Sequence, residues 1–330
     1  MKFRKYPKDA YEILLLYLKT RMAQARRCRA GAGRIASRRE RVAESLRVRH
    51  GISACYYRGM KHILYHENNL KHPYAPQEDS YLHSTKEGIF VVADGVTHDP
   101  TDPTLYPMPS DSYEVARIVC NEVIKYLEGK EFTTDSIKSA YSEANKKVAE
   151  YNLHSPLYAE RKNNGFTIGA AAASVVWIKE NKLLYGVLDD CFISVFGDDL
   201  VDHPMLKSYV EMSAKYLDGN FDWGKIGTRR HWRENIRNHK VVIEGKEYGY
   251  GVIDGREGFD QYLQTGEVAL NKGDLVCVYT DGFIKMFQDR EFAKELKEKP
   301  FTAETYKFIS ETAIKLEQYK EKTGYFIKND

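Results

Sequence analysis

The sequence predicts an α+β domain, and three observations carry that reading. A short apolar run, Ile89-Phe90-Val91-Val92-Ala93, ends in Asp94-Gly95, and a second, Leu275-Val276-Cys277-Val278-Tyr279-Thr280, ends in Asp281-Gly282. Both read as buried strands. Within residues 51–330, apolar residues recur at helical spacing between and after these strands, so strands and helices are segregated. No internal repeat or low-complexity linker interrupts residues 51–330.

In chain order, Tyr56 to Tyr65 reads as a first strand. Tyr81-Leu82-His83, the turn residues Ser84 to Gly88, and the strand ending at Asp94 read as a hairpin that could bring Asp79 towards Asp94. Glu78 and Asp79 point to opposite sides of an extended chain, so only one can face a given site. Gly95 permits a sharp turn that brings its own carbonyl near Asp94. Ser110 and Asp111 are N-cap residues for a helix carrying Val115, Val119, Val123 and Leu127 and ended by Gly129. A second helix is expected from about Thr134 to Tyr151. Strands follow over Phe166 to Ile178, Leu183 to Leu188 and Phe192 to Phe196. Tyr248 to Ile253 reads as a strand, Thr265-Gly266 as a turn, and Ala303 to Tyr319 as a helix.

Hydrophobic residues make up 42% and charged residues 29% of the 330, a soluble globular profile. A net charge of +3 is too small to argue nucleic-acid binding. Five scattered cysteines without a CxxC pair argue against a zinc site or a disulfide framework and fit a reducing, cytoplasmic setting. No apolar run approaches the roughly 18 residues that span a bilayer, so no membrane partner is expected. Residues 1–50 are set apart. Ten arginines and no lysine lie between Arg21 and Arg49. Three readings are open: a solvated basic helix or arm, an arm for nucleic acid or an acidic partner, or a segment foreign to the domain, such as an appended stretch or a transit peptide.

Asp79, Asp94, Asp190 and Asp281 each stand at or near a strand end. A carboxylate there is costly to bury unless a cation offsets its desolvation. Carboxylate-only ligation selects Mg²⁺ or Mn²⁺. Two such ions bridged by one carboxylate can activate a water for attack on phosphorus.

The order and spacing of these motifs resemble the metal-dependent PPM, or type 2C, Ser/Thr protein phosphatases. Gln77-Glu78-Asp79-Ser80 is similar to that family's first acidic motif. Val91-Val92-Ala93-Asp94-Gly95-Val96 is similar to its bridging Asp-Gly motif. Phe166-Thr167-Ile168-Gly169-Ala170-Ala171 is similar to its Gly-Thr-Thr-Ala strand, and Leu188-Asp189-Asp190-Cys191 to its Gly-Asp-Ser. Val278-Tyr279-Thr280-Asp281-Gly282-Phe283 is similar to its late Asp-Gly motif. The resemblance covers about residues 52–330. It implies a four-layer α/β/β/α sandwich of two antiparallel sheets flanked by helices.

It further implies a signalling hydrolase that releases phosphate from phosphoserine and phosphothreonine in proteins by direct attack of metal-held hydroxide. Asp94 would bridge two ions, Gly95 would add its carbonyl, Asp79, Asp281 and Glu321 would complete the set, and Asp190 would hold a weaker third ion. Apart from the resemblance, His98 could act as a general acid close to the metals, or be a surface loop histidine. A monomer is expected.

The departures are specific. Glu321 stands for an aspartate before the last strand, Tyr74 for a phosphate-gripping arginine, Thr97 and His98 for glycines, and Asp189 for glycine. They keep a second reading beside the first: a weak or inactive pseudophosphatase that binds phosphoproteins or partners. Residues 202–240 fall where the family carries a variable insertion. Their arginines Arg229, Arg230, Arg233 and Arg237 could grip a phosphate or acidic flank, or lie on a solvated surface.

Overall fold

The protein was analysed as a computed structural model that describes residues 55–57, 60–69, 77–97, 110–155, 168–197 and 232–329. All of them fall within His50–Asp330. Residues 1–50, Tyr74, His98, Phe166, Thr167, Arg229 and Arg230 lie outside the described residues.

Two five-stranded sheets form the body. The first contains β1 (Cys55–Tyr57), β2 (Met60–Glu67), β7 (Phe192–Phe196), β11 (Leu275–Tyr279) and β12 (Lys322–Asn329), in the order β1-β2-β12-β11-β7. The second contains β3 (Ser80–Ser84), β4 (Ile89–Gly95), β5 (Ala171–Lys179), β6 (Lys182–Leu188) and β10 (Gln264–Ala269), in the order β10-β6-β5-β4-β3. Every pairing within both sheets is antiparallel. A separate two-stranded ribbon pairs β8 (Val241–Ile243) with β9 (Lys246–Tyr248).

Strand alternation separates three apolar layers. Ile89, Val91 and Ala93 of β4, with Ala171, Ala173, Val175 and Trp177 of β5, pack under two helices, α1 (Asp111–Leu127) and α2 (Thr134–His154). Phe90 and Val92 face the other way, against Val276 and Val278 of β11 and Tyr325 and Ile327 of β12. Cys277 and Phe326 face outward onto α3 (Ile284–Gln288), α4 (Arg290–Glu298) and α5 (Ala303–Lys315) through Met286, Phe287, Phe292, Leu296 and Ile309. The result is the expected four-layer arrangement.

Both N-caps under the first helical layer form as their residue types dictate. Ser110 accepts from the Tyr113 amide at 3.0 Å, and Thr133 from the Ser136 amide at 3.2 Å. Gly129 takes a left-handed φ of 73° after α1.

Four local expectations change. The first strand is two, β1 and β2. Tyr248 to Ile253 is not a continuous strand, since Tyr250 and Ile253 make only isolated bridges to Arg237 and Ala171. Thr265-Gly266 is not a turn but part of the edge strand β10, and Gly266 lies under the Tyr185 ring, which leaves no room for a Cβ. The chain after Asp281 forms α3 and α4, which the strand and turn signals there did not announce.

Trp177 is fully buried, donates from Nε1 to the Glu87 carbonyl at 3.0 Å and meets Phe132 edge-on. Trp177→Ala is expected to cost about 3–5 kcal/mol, read from urea unfolding. His62 lies between the sheets, 1% exposed, with its ring 4.9 Å from His83 and no partner for Nε2 among the described residues. Burial, and then His83, lowers its pKa from 6.5 to about 4. An unfolded chain takes up this proton below about pH 6.5 and the folded one only near 4, so the stabilising contribution is complete above 6.5 and is lost as pH falls. His62→Leu should therefore lose up to about 3 kcal/mol less stability than the parent between pH 7 and 4, measured as the difference between the two proteins' unfolding free energies.

Candidate metal centre

The hairpin register builds the first half of the site. Ser80 pairs with Ala93, so one further step sets Asp79 opposite Asp94. Asp94 continues the Phe90 and Val92 face of β4 into the gap between the sheets. From the other sheet, Tyr279 pairs with Gly324, and the Thr280 amide donates to the Thr323 carbonyl at 2.9 Å. That pairing brings the Asp281 turn and the segment carrying Glu321 to the same end of the sandwich.

Oxygens of Asp79, Asp94 and Glu321 lie within 4.8 Å of one another, and so do oxygens of Asp94, Asp190 and Asp281. Asp94 belongs to both groups. Each expected acidic residue is therefore at one place, and Asp94 stands where a carboxylate shared between two cations would stand. Glu321, one methylene longer than the aspartate it replaces, still reaches. His98 and Tyr74 lie outside the described residues.

Hydrogen bonds fix these carboxylates. Thr280 Oγ1 donates to Asp79 Oδ2 at 2.9 Å, and the Glu78 amide donates to Glu321 Oε2 at 3.0 Å. The Glu78 side chain turns the opposite way from Asp79 and accepts from Ser110 Oγ at 2.5 Å. Ser110, the cap of α1, thus ties the first helical layer to the acidic motif. Lys320 Nζ donates to Asp281 Oδ2 at 2.6 Å, a contact that residue patterning did not announce.

The glycine of each Asp-Gly pair serves close approach rather than an unusual φ. A Cβ on Gly95 would stand 2.7 Å from the Ser112 carbonyl oxygen and 2.9 Å from that of Glu78. A Cβ on Gly282 would collide with the Glu321 carbonyl oxygen and stand 2.5 Å from Lys322 Cγ. Each glycine thus admits the backbone that supplies another carboxylate. Asp189, by contrast, has a left-handed φ of 57°. A glycine-compatible backbone is kept here by aspartate, one of the few side chains that tolerate it.

The electrostatics are those of a site made for positive charge. Burial raises Asp79 to about 7, with Thr323 and Thr280 holding it down and the Asp281 and Asp190 charges pushing it up. Burial and then Asp79 raise Glu321 to about 9. Burial and then Asp281 raise Asp190 to about 6. Asp94 is pushed well up by burial and by Asp79, Asp190, Asp281 and Glu321. Asp79, 1% exposed, has no hydrogen-bond partner for Oδ1 among the described residues. An orphaned buried carboxylate oxygen amid like charges fits a divalent cation.

Beside the centre, Trp232, Ile236, Tyr250, Val252 and Ala170 form a fourth apolar cluster. Arg237, 1% exposed, donates to Tyr250 OH at 3.3 Å and lies 3.8 Å from Asp254. Arg233, 7% exposed, donates to the Thr97 carbonyl at 2.9 Å. Neither lies on a solvated surface, and neither is open to grip a phosphate; Arg233 instead secures the chain just after Asp94-Gly95.

A family profile described as Protein phosphatase 2C matches residues 71–319. The chain belongs to that family. Among solved structures, this phosphatase 2C chain is similar to the Mycobacterium tuberculosis serine/threonine phosphatase PstP/Ppp (13% identity, 82% of this chain and 98% of that one, TM-score 0.56). It is also similar to Stp1 from Staphylococcus aureus (14% identity, 85% and 98%, TM-score 0.54). The PstP catalytic domain in complex with two manganese ions aligns at 13% identity over 82% and 97%, with a TM-score of 0.55. At these identities the likeness is one of fold. A search of curated proteins returned no match. Among the described residues, no helix is long and apolar enough to cross a membrane.

Crowded buried carboxylates oppose one another when no cation is present. Asp94→Asn is therefore expected to melt higher than the parent in chelator and to lose the parent's upward shift on adding Mn²⁺. Thermal unfolding in the two buffers checks this, and a lower melting point for the variant in chelator would contradict the charge-crowding account.

Proposed function

We propose that this chain is a Mg²⁺- or Mn²⁺-dependent phosphatase acting on phosphoserine and phosphothreonine in proteins. The observation that carries the proposal is the membership of Asp94 in both carboxylate groups. In this reading Asp94 would serve both ions, Asp79, Glu321 and the Gly95 carbonyl would hold one, and Asp281 would hold the other. Asp190 adds a ligand on the Asp281 side, where a weaker third ion would bind. Bound there, the ions would supply charge neutralisation and an activated water for in-line attack on phosphorus.

The chain's own residues do the positioning. Thr280 orients Asp79, and the Glu78 amide orients Glu321, so neither carboxylate must search for its place. His98, four residues after Asp94 in the sequence, is proposed as the proton donor to the leaving serine or threonine oxygen. The phosphatase domain is taken as residues 51–330, with residues 1–50 outside the catalytic fold. The proposed setting is the cytoplasm, in keeping with the buried thiols of Cys120, Cys191 and Cys277, none of them in a disulfide. A monomeric enzyme in signalling is the proposed form.

One observation favours the second reading, a phosphoprotein-binding pseudophosphatase: Lys320 already pairs with Asp281. Turnover decides between them. The parent is expected to release phosphate from a phosphothreonine peptide in Mn²⁺ but not in chelator, and Asp94→Asn to lose at least about 100-fold in kcat. Mn²⁺ binding without turnover would favour the binding module, and an Asp94→Asn variant as active as the parent would sink the catalytic reading.

A further inference from the structure

The segment leading into β12 is held unusually firmly. Lys322 is fully buried. Its ammonium donates to the Gln318 carbonyl at 2.9 Å and the Lys320 carbonyl at 2.8 Å and pairs with Glu67 at 3.0 Å. The Gln318 amide donates to the Ala313 carbonyl at 2.8 Å, and Gly282 lies directly against the Glu321 carbonyl. The backbone from 318 to 322 is thereby locked to β2, to the end of α5 and to the Asp281 turn. Two neighbouring residues on this locked segment project towards the carboxylates with opposite charge. Glu321 joins Asp79 and Asp94, while Lys320 reaches Asp281.

The Lys320 ammonium is 2.6 Å from Asp281 Oδ2 and also feels the charges of Asp190 and Asp94. A divalent ion on Asp281 would sit about 2.1 Å from a carboxylate oxygen. The ammonium and such an ion would compete for the same carboxylate and repel each other at close range. The Asp79, Asp94 and Glu321 group has no such tethered cation among its described partners. The two halves of the centre are therefore unequal, although they share Asp94.

We infer that Lys320 is a built-in counter-ion for the Asp94, Asp190 and Asp281 group, and that it sets the order and affinity of metal loading. The inference rests on the metal-centre reading above. The Asp79, Asp94 and Glu321 group loads first. The second group loads only when Lys320 withdraws from Asp281. Its side chain, 67% exposed, has solvent to withdraw into, so the competition is reversible. Lys320 acts through Asp281 and is a positioning residue rather than a reacting one.

Isothermal titration of Mn²⁺ into the full chain tests this without relying on turnover. The parent is expected to bind in two separated phases. Lys320→Gln should tighten the weaker phase about tenfold and leave the tighter one within about twofold. Lys320→Arg, which keeps the charge, should retain the parent's weak phase. Lys315→Gln, with the same charge change on α5, should superimpose on the parent. Thermal melting in chelator verifies that each variant is folded. A Lys320→Gln isotherm identical to the parent's, or equal tightening of both phases, overturns the inference while leaving the metal centre intact. No Mn²⁺ binding by the parent or any variant overturns both.

Discussion

Strand alternation is the constraint on which this molecule depends. Strands β4, β5 and β11 bury apolar residues on both faces, so their residues divide between the helical layers and the gap between the sheets. In β4 that division sends Ile89, Val91 and Ala93 to α1 and α2, and Phe90, Val92 and Asp94 to the gap. The carboxylate is therefore not attached to the fold as an addition. It is the last residue of a row whose earlier members are core, and a one-residue slip would bury a valine's place with charge and move the aspartate out of the centre. The opposing sheet obeys the same rule through Val276 and Val278 of β11 and Tyr325 and Ile327 of β12.

The centre also explains its own glycines. Gly95 and Gly282 each lie where another segment's carbonyl passes within contact, and each passing segment brings a carboxylate of its own. Asp189 shows the converse. The chain keeps a left-handed residue before Asp190 but fills it with an acid, adding one more half-buried carboxyl whose ionisation burial opposes and Arg237 favours. Stability and charge placement pull against each other throughout this end of the sandwich, as expected of a functional site.

Much of this was legible in the sequence. The Asp-Gly strands, the hairpin before Asp94, and the Ser110 cap follow from residue type and spacing alone, and so does the opposite orientation of Glu78 and Asp79. The missed elements have physical reasons. The edge strand β10, Gln-Thr-Gly-Glu-Val-Ala, has only one partner strand and a largely polar surface, so it lacks the apolar alternation that marks a strand. Tyr248 to Ile253 has that pattern, but Tyr250 and Val252 serve the Trp232 cluster and Ile253 the core under α1 and α2 instead of a ladder. The Lys320 to Asp281 contact depends on the lock formed by buried Lys322. A lysine inside a core is rare enough that sequence patterning assigns it to the surface.

Strand β12 occupies an inner position of its sheet, between β2 and β11, and pairs Lys322 with Glu67 and Asn329 with Met60. Partners more than 250 positions apart along the chain must meet before that sheet has a middle. The β3-β4-β5-β6 meander and the two helices over it involve only nearer neighbours and can condense early. Closing a loop of that length is entropically slow and offers little return until it is nearly complete. Contact order therefore favours a polarised pathway, with the helix-covered sheet as template and the other assembled upon it late. On that pathway the carboxylates contributed by the two sheets would become neighbours only at the final step, sparing the intermediates their mutual repulsion.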